Sequence, residues 1–580
     1  MKTRVLGLLL AAAVLLSAAA CAQAEDSEWI PEDIESPLVV TPDWNEPDSA
    51  LLVMAREDGL IYMEDIDAPL RDYLQQRARC VFDSIRPSQL MQRVAWVTEV
   101  DLSDYEGTMT DARWFYMFDN LTKIVINSAA FDSLTVFGGF SNLEELSLIN
   151  CGYFDLTPLA ECDELATLAI GWDDDYTGEA GAFDLTPLMK LENLTTLALY
   201  GNGIESLDAF TTAAMRRIRT LTLSDTAIED FSLLSKFSKL RSLTLDLLHS
   251  TYAAAAMSAC PNSIKMLTLE RIILNTDTDD AVKRFKSLTD YSIIDCDAAD
   301  DLFYESLNKS TRLTLESVSM PNGEMVGEVY ADKTTMVLRD VPEAVMLSIL
   351  DNRSASLNDL TIDIETLTED LNDELRQKTS LNTLTVGIAD NTDLDGDMWK
   401  RITGINTLTI DSQGKTLSST DFITELPRVY TLTLQGVNIE DTAGLASLEY
   451  VTTLTIVGCR VSDWSFLSSM KRVTTLKIYA SAMTDDALPY IASMRALEDL
   501  RLNGNYLTDI SALTASATIR KLDILDNPIL DYTPLLKMTK LSIVYSEQKG
   551  VITSSKILAR AVYIDDIDYT EIEQEAFGNQ

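Results

Sequence analysis

Apolar residues recur along most of the chain in one spacing, apolar-x-x-apolar-x-apolar. Clear copies are Leu143/Leu146/Leu148, Leu194/Leu197/Leu199, Leu240/Leu243/Leu245, Leu381/Leu384/Val386, Val451/Leu454/Ile456 and Leu497/Leu500/Leu502. Copies start at 97, 121, 143, 165, 194, 218, 240, 264, 288, 310, 333, 357, 381, 405, 429, 451, 473, 497, 519 and 541. Their intervals are 22 to 24 residues, except that from 165 to 194, which is 29. The starts at 97, 310 and 333 are weak, with Ser310 and Lys333 standing in apolar slots. Alternation inside each copy predicts a short strand whose apolar residues face one way and whose intervening residues face the other. One copy cannot bury its own leucines, so the copies must stack and share a continuous core. Longer copies, such as the one holding Met483 to Ala492, predict a short helix between strands, and the others a tight turn.

Outside this ladder the pattern changes. Lys2 and Arg4 precede an apolar run from Val5 to Ala20, which reads as a signal peptide over residues 1–24. Two cleavage readings overlap there: cutting before Cys21 leaves a lipid-modified N-terminus, and cutting after Ala24 releases the chain. Residues 25–48 are acidic and proline-bearing, as expected of a flexible tether. Residues 49–95 predict a helical cap, with Leu70, Tyr73 and Leu74 on one face. The solenoid is expected over 96–548, and a C-terminal cap with an acidic tail over 549–580. No other apolar run reaches the roughly 18 residues of a membrane helix. The mature protein is therefore expected to be extracytoplasmic, touching a membrane only through a lipid on Cys21.

The formal charge of −45 argues against nucleic acid and anionic lipid as partners, because both would be repelled. Of seven cysteines, Cys21 is either lipidated or removed. The rest are too sparse for a disulfide-stapled scaffold, and no essential disulfide is expected.

The segment Asn505-Tyr-Leu507-Thr-Asp509-Ile510-Ser511-Ala-Leu513 resembles the repeat of bacterial leucine-rich-repeat proteins of the internalin-like branch. Related returns stand at Asp155-Leu-Thr-Pro-Leu159, Asp184-Leu-Thr-Pro-Leu188 and Asp531-Tyr-Thr-Pro-Leu535. The resemblance covers about residues 95–548. It implies an α/β repeat solenoid, a horseshoe with a parallel β-sheet on its concave face, mixed short-helix and 3₁₀ returns on its convex face, and an N-terminal helical cap. It also implies that the ninth position of each copy turns inward as Asn or Cys. Those positions are Asn202, Asn505, Asn527, Cys151, Cys296 and Cys459.

Catalytic chemistry has little to work with. His249 is the only histidine, placed just after a strand where a surface-loop role is expected, and no nucleophile motif surrounds it. Asn391, Asp393, Asp395 and Asp397, with Gly396, resemble the first half of a calcium loop. The twelfth position, which should be a closing Glu, is Ile402, so calcium is a secondary reading and no other cofactor is expected. The acidic run from Asp173 to Glu179 lies in the 29-residue copy and predicts a protruding loop.

Outward strand positions are mostly threonine: Thr222, Thr244, Thr268, Thr314, Thr361, Thr385, Thr409, Thr433 and Thr455, doubled at Thr383, Thr407, Thr431 and Thr453. Such an array admits ice binding as a minor reading, although threonine also suits strands on its own account. Near the C-terminal end the row gives way to Lys477, Tyr479, Arg501, Asn503 and Lys521, residue types suited to interface anchors. Tyr200 and Trp172 offer a second patch. The expected function is non-enzymatic recognition of a protein at the cell surface, on the concave face. Glycan binding is the alternative.

Overall fold

The computed structural model describes residues 50–545, with breaks at 79, 153–154, 174–175, 177–181, 300–304, 322–328, 330–331, 352–355, 367, 394–398, 400–401, 403, 413, 418, 426–427 and 530. These residues form two compact units. One comprises residues up to 248 with 259–261, and the other 249–258 with those from 262 onward. The repeat spacing gave no sign of this division, since the interval from 240 to 264 is of ordinary length.

In the first unit, seven strands from Glu99–Asp101 to Ser242–Asp246 each pair in parallel with the next. In the second, thirteen strands from Met266–Glu270 to Ile543–Tyr545 do the same. Every one of these strands begins two residues after the first apolar position of a copy. The register slips once, between Ile364 and Thr366 against the long strand Thr383–Asp393. Side chains at the two inward positions are buried throughout. Leu221, Leu223, Leu243, Leu245, Leu432 and Leu434 are fully enclosed. Each such leucine contributes about 1.5–3 kcal/mol by leaving water.

Returns are set by local chemistry. Asp155, Asp184, Asp230, Asp463, Asp509 and Asp531 each accept the backbone N–H two residues ahead, which starts a one-turn 3₁₀ helix. For Asp155, Asp184 and Asp463 the hydroxyl of that residue is the main cause of a lowered pKa. Longer copies carry helices, such as Ser250–Ala259, Thr276–Lys283 and Glu369–Gln377. The expected helix after Met483 is present as a 3₁₀ turn running into Leu488–Ala492.

Eleven strand exits share one conformation. The residue after the strand takes a left-handed backbone at Asn150, Asp225, Leu247, Arg271, Asp295, Ser317, Asp340 and Ala480, and at Gly201, Gly436 and Gly458. Glycine adopts this at no steric cost, whereas an L-residue loses about 1–2 kcal/mol.

The weak copies keep the geometry by unusual means. Lys333 is fully enclosed in an apolar slot, and its ammonium donates to the carbonyls of Leu307 and Ser310 at the end of the preceding return. Burial pushes its pKa down to about 8. The N-terminal region is less purely helical than expected. Helices Ala68–Gln76 and Pro87–Val94 are accompanied by a small antiparallel pairing of Ile61–Tyr62, ahead of the first helix, with Ser84–Ile85, between the two. Leu70, Tyr73 and Leu74 are buried as the periodicity required.

Candidate functional site

The ninth position of the copies shows what holds neighbouring coils together. Asn505 is enclosed. Its Nδ2 donates to the carbonyls of Ile478 at 2.8 Å, Leu502 at 2.9 Å and Asn503 at 3.1 Å. Its Oδ1 accepts the N–H of Ser481 and that of Met483, both at 3.1 Å. Asn527 repeats this one coil on, donating to Leu502, Ile524 and Leu525 and accepting from Leu507. One coil earlier Ser481 stands in the same slot, its hydroxyl donating to Tyr479 and accepting the N–H of Cys459. Cys459 in turn donates to Leu434 and Val457 and accepts from Val437. A polar ladder therefore satisfies the backbone left unpaired where these four strands turn into their returns. Both units are leucine-rich-repeat solenoids.

Cys151 and Cys296 occupy the same slot as buried thiols, as expected, with Cys151 donating to Ile149 and Cys296 to Ile294. Burial pushes Cys151 and Cys459 up to about 12 and Cys296 up to about 11, so none is a nucleophile near neutral pH. Asn202 departs from the pattern. It is exposed, at the outer corner of a turn closed by the Ile204 N–H to Gly201 at 3.2 Å, and makes no ladder.

The strand face of the second solenoid carries the outward rows. Thr361, Thr385, Thr409, Thr433, Thr455, Lys477 and Arg501 are register partners from strand to strand. A parallel row, Thr383, Thr407, Thr431, Thr453 and Thr475, runs beside them. Most of these threonines are half-buried, and Thr455 is buried.

The C-terminal quintet is only partly outward. Lys477, Arg501 and Lys521 are half-buried at outward positions. Tyr479 and Asn503 were expected there too, but both are buried. Tyr479 packs on Val457, because the last strand position leans onto its neighbour where the chain turns away. The positive charge is largely compensated. Arg501 lies 3.4 Å from the Asp499 carboxylate, and Lys521 approaches the same residue at 3.8 Å while sitting over the Tyr545 ring. Beside Arg501 in register stands Asp523, buried and pushed up to about 6 by that burial.

Trp172, the second expected surface aromatic, is enclosed, with Tyr176 and Phe183 rings against it at 5.7 and 4.5 Å. Tyr200 is half-buried at the end of its strand, above Gly171. A side chain at Gly171 would meet the Tyr200 carbonyl at 1.9 Å, which explains the glycine.

Of the acidic loop, Asp174, Asp175 and Glu179 lie outside the described residues. So do Asp395 and Asp397 of the calcium-like segment, while Asn391 and Asp393 end the strand Thr383–Asp393. Ile402, at the closing position of that loop, is a buried core residue. Among the described residues no His, Cys, Asp and Glu grouping is placed to hold a metal ion. His249 is exposed and caps the helix Ser250–Ala259, its carbonyl accepting from Tyr252 and Ala253 and its Nδ1 from Thr251. Two shallow recesses lie on the returns. One, of about 400 Å³, includes Thr508, Asp509, Asp531 and Lys537, and the other, of about 320 Å³, includes Thr251, Asp277 and Arg284. No helix among the described residues is long and apolar enough to cross a membrane. Cys21, the tether and the segment after 545 also lie outside the described residues.

No protein-family model matches the chain, and no curated protein matches it. Among solved structures it is similar to internalin C2 of Listeria monocytogenes, at 24% identity over 32% of this chain and 77% of that one, with a TM-score of 0.26. It is also similar to the internalin InlF of Listeria monocytogenes, at 14% identity over 84% of this chain and 98% of that one, with a TM-score of 0.25. The mouse RP105/MD-1 complex is a third, at 15% identity over 74% and 86%, with a TM-score of 0.39. The strand ladder and its polar ninth positions, and not these overlaps, identify the fold.

Proposed function

We propose that this chain is an extracytoplasmic, non-enzymatic scaffold that recognises a protein partner on the outward face of its strands. The observation that carries the reading is the unbroken register of Thr361, Thr385, Thr409, Thr433, Thr455, Lys477 and Arg501. Strands about 4.8 Å apart hold these side chains in fixed rows, so the face is broad, shallow and preorganised. Small-molecule sites are mostly apolar pockets, and this row is an open, largely polar face. Lys477, Arg501 and Lys521 remain the anchors of this face. Glycan binding is the competing reading, and the scarcity of accessible aromatic rings along these rows favours protein. The scaffold is either tethered through a lipid on Cys21 or released after Ala24, and mass spectrometry of the mature N-terminus separates the two.

The test is site-specific photocrosslinking on intact cells. A photoreactive side chain at Thr409 should give a protease-sensitive adduct that Thr433→Lys abolishes, while the same probe at the exposed return residue Ser468 gives none. Equal adducts from both positions would overturn the strand-face reading. Oligosaccharide binding lost in Thr433→Lys would replace it with the glycan alternative.

A further inference from the structure

The copies starting at 429, 451 and 473 place Arg428, Tyr450 and Arg472 immediately before their first apolar position. Because these starts are evenly spaced, 22 residues apart, stacking brings the three side chains into one line along the rim of the sheet. The Arg428 guanidinium carbon lies 6.0 Å from the centroid of the Tyr450 ring, and that of Arg472 lies 5.3 Å from it. Both arginines are exposed, and Tyr450 is half-exposed between them. Two residues beyond Arg428, Tyr430 is 41% exposed.

Acidic residues outnumber basic ones 91 to 46 in this chain, and many of its arginines are matched by a carboxylate. Arg113 pairs with Asp111, Arg376 with Asp373, and Arg339 with Asp363 and Asp411. Arg428 and Arg472 form no ion pair with any described side chain, although exposed Glu449 is next to Tyr450 in sequence. A guanidinium on an aromatic face uses its plane for that contact and keeps its N–H edges for a planar anion. Side-chain freedom that binding would otherwise remove is already restricted.

We propose that this rim is a binding site for an extended acidic peptide segment, with two carboxylates two residues apart each taking one guanidinium. The guanidinium carbons are no more than about 11 Å apart. An extended chain advances about 3.3 Å per residue and alternates its side chains, so carboxylates two residues apart face the same way and span about 7 Å, within that limit. Long polyanions such as nucleic acid or an anionic bilayer would meet the repulsion of the whole acidic chain, while a short segment meets only the local field. A sugar needs an open aromatic face, and the Tyr450 ring is flanked by its two guanidiniums. Tyr430 supplies an amphipathic contact beside the carboxylate sites. This site does not depend on the strand-face reading.

The experiment uses the full chain at low ionic strength and fluorescence anisotropy of labelled Gly/Ser dodecapeptides. Each peptide carries two Glu residues at separations from one to six, or Gln at the same places. Binding should be tightest at a separation of two and at least about tenfold weaker for the Gln peptides. Arg428→Gln and Arg472→Gln should each weaken the best peptide about tenfold and remove its preference for spacing. Tyr450→Leu should weaken it with all charges intact, while Tyr450→Phe should not. Circular dichroism checks that these surface variants remain folded. Binding indifferent to spacing, or unchanged in both arginine variants, overturns the proposal. So does an oligouronate that binds more tightly than any peptide with the same arginine dependence. Thr409→Lys on the strand face should leave peptide binding intact, and its loss there would remove the site from the rim.

Discussion

Asn505 and Asn202 occupy the same consensus position, yet the structure assigns them opposite roles. Replacing Asn505 with alanine removes the acceptor of two buried amides, those of Ser481 and Met483. The carbonyls it serves are less exposed to loss. Leu502 keeps the Asn527 amide, and Asn503 keeps the Ala480 N–H. Each buried amide left without a partner costs about 1–3 kcal/mol, so Asn505→Ala should destabilise by about 4 kcal/mol. Asn202→Ala should stay within about 0.5 kcal/mol, because that side chain is exposed. Urea unfolding of the full chain reads the difference. Hydrogen exchange at Ser481 and Met483 localises it, since a stacked array can lose cooperativity when one coil is damaged. An Asn505→Ala cost under about 1 kcal/mol, or an equal cost at Asn202, would falsify the ladder argument.

Three further outcomes are expected. Ala480→Gly relieves a left-handed residue where neighbouring coils carry Gly436 and Gly458, and should raise stability by about 0.5–1 kcal/mol after the entropy of glycine is offset, measured as a higher urea midpoint. Asp523 has its folded pKa raised from 3.8 to about 6, so the native state binds more protons than the unfolded chain between those values, and stability falls as pH rises through that window. Asp523→Asn should remove that slope and gain up to about 3 kcal/mol at neutral pH, which unfolding at pH 4.5 and 7.5 compares. Cys80, Cys151, Cys162, Cys260, Cys296 and Cys459 are buried thiols outside any disulfide, so all six should resist a thiol reagent in the native protein and react once it is unfolded. Fewer than six reactive thiols under denaturation would show a disulfide.

The sequence by itself determined where the strands begin. A period-two alternation set in a 22- to 24-residue repeat has one sterically sensible reading, and the strand starts follow the copies even through the weak ones at 310 and 333. The Asp-x-Thr and Asp-x-Ser returns were equally legible, since their hydrogen bonds span only two residues. What depends on the next coil was not legible. Asn202 and Asn505 look alike until a neighbouring backbone decides whether an amide finds partners. Tyr479, Asn503 and Trp172 read as surface residues because alternation says which way a side chain points and not what leans over it. The compensation of Arg501 and Lys521 by Asp499, and the raised pKa of Asp523, come from side chains on neighbouring strands. Arg428, Tyr450 and Arg472 are 22 residues apart in sequence, and the only signal of the line they form was their shared position in three evenly spaced copies. Local chemistry wrote the coil, and stacking, which sets the dielectric and the partners of every outward residue, decided which of its side chains are free to bind.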